Sequence, residues 1–272
     1  MMAAGLNLAG LSDCPGALLF SDNFNYSVST SLGGQGGWVN ANTGDQVAVV
    51  AGNLGVRGLA GASGNRVSFG GAGLDPYQSF ALTSSSVYYS FAFQIAELGD
   101  LNNTGGYIAG FGTSSFVSTL WVRKNGVGFD IGIGRTSAAT SVSWSAGYAL
   151  NDMVFVVGSY QVNAGVANDL SRLWINPSAS SFGAGVAPVA SLTTSPSSSD
   201  LSSIARFFLR QDSAAGTPNK LYLDELRIGT SWADVTPIGA AVPEPSTYLA
   251  GLLLGLPFGV RGVRYLRSRK RA

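Results

Sequence analysis

The pattern of apolar and polar positions changes with a period of two residues over most of the chain. In Val87–Ile95, "VYYSFAFQI", Val87, Tyr89, Phe91, Phe93 and Ile95 fall on one side, and Tyr88, Ser90, Ala92 and Gln94 on the other. Successive side chains of a strand point to opposite faces, so this spacing predicts a half-buried strand, with Ser90 on its solvent side. "LWVRKNGVGFDIGIG" places Asn125-Gly126 between two extended runs, which predicts a hairpin. After that turn Val127, Phe129, Ile131 and Ile133 face one way, opposite Gly128, Asp130, Gly132 and Gly134. "MVFVVGSYQV", "SRLWINP", "ARFFLRQ" and "KLYLDELRI" read as further strands, separated by turn-rich stretches such as "SLTTSPSSSD". No helical period of useful length precedes Ser246, and no internal repeat occurs. Many short strands with turns between them predict an all-β antiparallel fold, a β-sandwich or jelly roll.

A different pattern closes the chain. From Pro245 to Val260 there is no charged residue, and then Arg261, Arg264, Arg267, Arg269, Lys270 and Arg271 follow within eleven positions. The uncharged run would extend roughly 24 Å as a helix at about 1.5 Å per residue. That is a little short of the ~20 apolar residues a full span needs. Snorkelling of Arg261 and Arg264 would let Val263, Tyr265 and Leu266 extend it. A single C-terminal transmembrane helix is therefore expected, with the basic stop on the cytoplasmic side.

Composition sharpens this division. Of 272 residues, 46% are apolar and only 11% charged, which excludes a disordered body. Six of the sixteen basic residues lie beyond Val260 and all fifteen acids lie at or before Glu244. The body therefore has ten basic against fifteen acidic side chains, a net of −5 under an overall +1. A mildly acidic body without a basic stripe excludes nucleic acid as a partner. The chain has no histidine and one cysteine, Cys14. It thus lacks the imidazole base of Ser-His-Asp and Cys-His catalysis, a His/Cys zinc site and an internal disulfide.

Two resemblances add to this reading. Val242-Pro243-Glu244-Pro245-Ser246-Thr247, the oily run and the Arg-rich stop resemble the PEP-CTERM sorting signal of Gram-negative bacteria. That resemblance implies recognition of Pro243, Glu244 and Pro245 by an exosortase-type processing enzyme. It also implies residence in the inner membrane before processing, with the C-terminus cytoplasmic, and transfer to the cell surface or extracellular matrix afterwards. Pro243 and Pro245 hold this stretch extended, as an enzyme cleft requires. "LLFSDNFNYSVSTSLGGQGGW" at 18–38, "FVVGSYQVNAGVANDLSRLWINP" and "LYLDELRIGTSWADVTP" resemble strands of laminin G-like, concanavalin A-type jelly rolls. The organisation expected is a poor or truncated signal segment at 1–17, a jelly roll at 18–235, a linker with the Pro-Glu-Pro motif at 236–245, and the span and basic tail at 246–272. The first segment has no basic n-region and is broken by Asp13, and Cys14 does not sit in a lipoprotein box.

Candidate chemistry is sparse. The resemblance to concanavalin-type folds brings in glucanases, whose carboxylates come from a Glu-x-Asp-x-Glu strand. This chain has only Glu97, Glu225 and Glu244, and strand alternation would put Asp224 and Glu225 on opposite faces. The chain is accordingly expected not to be an enzyme. "GIGRTS" at 132–137 lacks the third glycine of a dinucleotide loop, "GGQGGW" at 33–38 reads as a turn before Trp38, and "NNT" at 102–104 fits a sequon only formally. Among the tryptophans, Trp121 and Trp174 sit in strands and are expected in the core. Trp144, flanked by serines, is the ring expected to be exposed for a ligand. No cofactor is expected beyond a structural calcium, for which Asp22 and Asp224 are the oxygens to inspect. Their other use would be in turns or Arg pairs such as Asp224 with Arg227. Together these features predict a surface or matrix protein that is adhesive or glycan-binding, with extracellular polysaccharide as a partner. The alternatives are a structural matrix component without ligand, or a remote glycosidase.

Overall fold

The computed structural model divides the chain into two units, Met1–Ile238 and Gly239–Ala272. It describes residues 16–239 apart from 62, 113–114 and 197–199. The expected transmembrane segment, the Pro-Glu-Pro motif, the basic stop and Cys14 all lie outside the described residues. Among the described residues no helix is long and apolar enough to cross a membrane.

In chain order the strands are β1 Leu18–Asp22, β2 Val39–Ala41, β3 Ala48–Val50, β4 Arg66–Phe69 and β5 Asp75–Thr83. Next come β6 Val87–Glu97, β7 Gly106–Gly112, β8 Phe116–Asn125, β9 Gly128–Gly134 and β10 Val142–Tyr148. The last are β11 Met153–Gln161, β12 Leu170–Ile175, β13 Leu192–Thr193, β14 Ile204–Leu209 and β15 Lys220–Gly229, before a four-residue helix α1, Trp232–Val235. They form an antiparallel sandwich. The first sheet runs β13-β12-β11-β6-β15-β4-β3, with β1 also paired to β15, and the second runs β10-β9-β8-β7-β14-β5-β2.

The alternation read from Val87–Ile95 sets the core. Val87, Tyr89, Phe91, Phe93 and Ile95 are fully buried between the sheets, against Ile108, Phe111, Phe129 and Phe207. Tyr89 and Phe111 meet edge to face with centroids 5.2 Å apart, a favoured aromatic geometry. The hairpin joins β8 to β9 by a two-residue turn, Gly126–Val127, with Asn125 opposite Gly128. Gly126 takes φ +60°, which glycine adopts without steric penalty. Val127 lies on this turn and is 92% exposed. Phe129, Ile131 and Ile133 continue into the core.

The other side of β6 departs from expectation. Ser90 is fully buried, and its hydroxyl donates to the Val235 carbonyl at 2.7 Å. The outward face of the first sheet is covered by a second apolar cluster of Leu59, Phe155, Val157, Trp174, Phe182, Trp232 and Val235. These come from strands β11 and β12, from loops, and from α1. Both faces of β6 around Ser90 are therefore dry, which a period-two reading of one strand does not reveal. Ser231 caps α1: its hydroxyl accepts from Asp234 N–H, while the Asp234 carboxylate accepts from Ser231 N–H.

β15 changes partner on one edge. It pairs with β4 through Leu221–Leu223 and with β1 through Leu226–Gly229. Asp224 and Glu225 fall in the gap, where the register with β6 shifts and Glu225 adopts φ +58°. This bulge breaks the alternation, so the expectation that the two acids occupy opposite faces of a regular strand is corrected.

Candidate functional site

The outward face of the second sheet carries a continuous group of aromatic and arginine side chains. On β8, Leu120 and Val122 enter the core, so Trp121 and Arg123 point out. On β14, Phe207 and Leu209 enter the core, which turns Phe208 outward with Arg206 and Arg210 beside it. Tyr107 of β7, Tyr77 of β5 and Trp144 of β10 complete the row.

The rings touch in series. Centroids of Trp144 and Trp121 are 6.4 Å apart, Trp121 and Tyr107 5.4 Å, Tyr107 and Phe208 5.9 Å, and Phe208 and Phe116 4.7 Å. Glycines beneath them let the rings approach the sheet. A Cβ on Gly132 would lie 2.8 Å from a Trp144 ring atom, one on Gly134 2.6 Å from Trp121 Nε1, and one on Gly112 2.7 Å from Phe116. Side chains at these positions would lift the rings off the sheet.

Guanidinium groups lie against the same rings. Arg123 sits 4.2 Å from the Trp144 ring, Arg206 4.5 Å from Tyr77 and Arg210 4.8 Å from Tyr107, all within cation–π range. Arg123 also pairs with Asp130 at 2.9 Å, and Arg210 is shared between Asp75, at 3.2 Å, and Asp212. Arg206 is exposed and has no carboxylate partner among the described residues. Asp75 is nearly buried and accepts from Gln211 N–H at 2.8 Å and from the Asn42 amide at 2.6 Å. Burial pushes its carboxyl up from the ordinary range, against the opposing pull of those donors and Arg210. A cleft of about 210 Å³ opens here between Asn42, Asp75, Tyr77, Phe116, Arg206 and Arg210. It offers ring faces, a fixed guanidinium, a free guanidinium and a carboxylate, a set suited to holding a hydroxylated ligand.

Trp144, the ring predicted for ligand contact, lies at the end of this row and is half-buried under Arg123. Trp121 is buried within the outward aromatic cluster rather than between the sheets, and Trp174 lies in the cluster covering the first sheet. Tyr77, Tyr107, Phe116, Phe208, Asp75 and the arginines were not singled out by sequence. The alternation in "ARFFLRQ" was the available signal, since it separates Arg206, Phe208 and Arg210 from Phe207 and Leu209.

The two aspartates examined for calcium are engaged by protein donors. Asp22 accepts from Phe24 N–H at 2.7 Å, from the Tyr26 hydroxyl at 2.8 Å and from Trp38 Nε1–H at 2.8 Å. Asp224 accepts from Leu54 N–H and from Glu225 N–H, each at 2.8 Å. Its carboxyl is pushed up to about 7, first by burial and further by the charge of Glu225, while the two N–H donors and Arg66 pull it down. Glu225 is raised by burial as well. Arg227 pairs with Glu225 at 3.5 Å and donates to Ala60 O at 2.7 Å, rather than pairing with Asp224. Among the described residues no three Asp, Glu, His or Cys side chains converge on a metal position.

Comparison with known proteins finds no matching family model and no matching curated relative. Solved structures do match. A glycosyl hydrolase family protein from Mycobacterium fortuitum superposes with a TM-score of 0.41 at 12% identity, over 78% of this chain and 99% of that one. A beta-1,3-glucanase from Mycobacterium marinum gives 0.40 at 10% identity, over 79% and 99%. The CBM2 module of the evolved Dit protein of Lactobacillus casei BL23 phage J-1 gives 0.42 at 9% identity, over 80% and 97%. At these identities the likeness is one of fold. The expectation that the chain is not an enzyme is corrected to this extent: glycosyl hydrolases are among the matching structures. The physical reason is that carboxylates also gather away from a regular Glu-x-Asp-x-Glu strand: Asp75 and Asp212 share Arg210, and Asp224 and Glu225 are neighbours on the β15 bulge.

Proposed function

We propose that this chain is an exported, surface-sorted bacterial protein whose laminin G-like jelly roll holds polysaccharide on the outward face of its second sheet. The observation that carries the binding half is the cleft at Tyr77, Phe116, Arg206 and Arg210, backed by the buried rings of Trp121, Tyr107 and Phe208, with the half-buried Trp144 at the end of that row. The partly exposed rings of Tyr77 and Phe116 support the hydrophobic side of a sugar, and the flanking arginines and Asp75 supply directional hydrogen bonds. The sorting half rests on the order of Pro243-Glu244-Pro245, oily run and Arg261, Arg264, Arg267, Arg269, Lys270 and Arg271. In this reading the segment is a temporary inner-membrane anchor, with the C-terminus cytoplasmic. An exosortase-type enzyme removes it and transfers the body to the surface or matrix. Carrying each Arg or Lys to the bilayer centre costs about 2.5–3.5 kcal/mol on the insertion scale, which holds the motif at the outer side.

A glycan array with the full chain tests the binding half. Retention on one polysaccharide class, weakened by Tyr77→Ala and Arg206→Ala, is expected. No retention on any glycan would favour the other reading, a structural matrix component without ligand, which the mutual pairing of Arg210 with Asp75 and Asp212 supports. The sorting half is tested by mass spectrometry of surface-released protein from the native host. A C-terminus near Pro243 is expected, and an intact Ala272 would sink it.

A further inference from the structure

A second polar cavity lies on the opposite side of the sandwich. It occupies the stretch of the first sheet's outward face that the apolar cover leaves open. Its volume is about 370 Å³, within the range of small-molecule sites. Tyr88, Gln161, Arg172, Pro188, Thr230 and Trp232 line it.

The register explains why these side chains meet. Tyr88 on β6 stands opposite Ser159 on β11, Ser159 opposite Arg172 on β12, and Arg172 opposite Thr193 on β13. Strand alternation puts Ser159 and Gln161 on the same outward side as Phe155 and Val157. A cross-strand row of polar side chains thus runs directly beside the buried rings of Trp174 and Trp232.

The polar groups in this row are unspent. Among the described residues Arg172 makes no ion pair, hydrogen bond or ring contact through its guanidinium. The Gln161 amide and the Tyr88 hydroxyl are likewise without partners there. Ser159, in the same cross-strand row but outside the cavity lining, is fully buried, and its hydroxyl also finds no partner. A buried, unmatched hydroxyl is unfavourable by itself. Arg123, Arg210 and Arg227 have carboxylate partners, whereas Arg172, like Arg57, Arg66 and Arg206, has none among the described residues.

We propose that this cavity is a binding site for a single carboxylate-bearing sugar unit, a uronic acid. The planar fork of Arg172 matches a carboxylate bidentately. The Tyr88 hydroxyl and the Gln161 amide supply directional partners for ring hydroxyls. The Tyr88 ring, which lies 6.1 Å from Trp174, and the wall at Trp232 give the sugar ring an apolar surface. This site is separate from the row on the second sheet and does not depend on it.

The test is isothermal titration of the purified full chain with D-glucuronate, D-glucose, acetate and sulfate. Saturable binding of glucuronate alone is expected. Arg172→Gln should weaken it at least about tenfold, as the loss of a charge-assisted pair does. Tyr88→Phe should weaken it less, and Val127→Ala on the exposed β8–β9 turn, outside both sites, should leave it unchanged. Unaltered melting temperatures for Arg172→Gln and Tyr88→Phe would show that both variants fold. Absence of glucuronate binding would overturn the assignment, as would equal binding by the Arg172→Gln variant. Equal binding of glucose would refute the role of Arg172, and equal binding of acetate or sulfate would refute the role of the sugar ring.

Discussion

Replacing Ser90 with alanine probes how the first sheet is covered. On a bare strand this serine would face water, and its loss would change stability within about 0.5 kcal/mol. Here Ser90 is fully buried on β6, opposite Val157 and Arg227, and its hydroxyl donates to Val235 O at 2.7 Å. Alanine removes that donor and leaves the carbonyl at the end of α1 without it in a dry environment. The cost of an unmatched buried group is about 1–3 kcal/mol. For a domain of this size each kcal/mol lowers the melting temperature by about 2–4 °C. Equilibrium unfolding in urea should therefore show a lower midpoint with an unchanged slope. Amide exchange should accelerate at Thr236, whose N–H donates to Trp232 O at the end of α1. A loss below about 0.5 kcal/mol with no change in exchange would refute the reasoning, because it would mean that water reaches this face.

The neighbouring Phe91→Ala should cost about 3–5 kcal/mol in the same urea melts, since the ring is fully buried between the sheets. Asp224 has a carboxyl raised to about 7, so the folded state holds a proton that the unfolded chain releases near pH 4. Its contribution is then fully present below about pH 4 and falls as pH rises to about 7, at no more than about 1.4 kcal/mol per pH unit. Asp224→Asn should flatten that slope in melts from pH 4 to 8, and an unchanged slope would exclude this carboxyl as the source. Gly132→Ala should push the Trp144 ring off the sheet, because the new Cβ would lie 2.8 Å from it. A changed near-ultraviolet tryptophan spectrum with little loss of secondary structure is expected, and an unchanged spectrum would count against the close approach.

Some of this protein was legible in the sequence because it depends on local backbone geometry. The period of two in Val87–Ile95 identified the strand and its five core-facing side chains, since a strand turns every second residue the same way. Asn125-Gly126 marked the β8–β9 hairpin, because glycine enters the left-handed region freely. The rest required three dimensions. Ser90 is buried because α1 and distant loops cover its face, and nothing within β6 encodes that cover. Asp224 and Glu225 depart from alternation because β15 exchanges β4 for β1 at that point, a consequence of pairing between segments some 150 to 200 residues away in sequence. The aromatic row joins rings from β7, β8, β10 and β14, and the cavity at Arg172 joins β6, β11 and β12. Each strand carries only one or two of these side chains. Their convergence is decided by sheet order and register, which arise from packing the whole core and leave no periodic trace in any single segment.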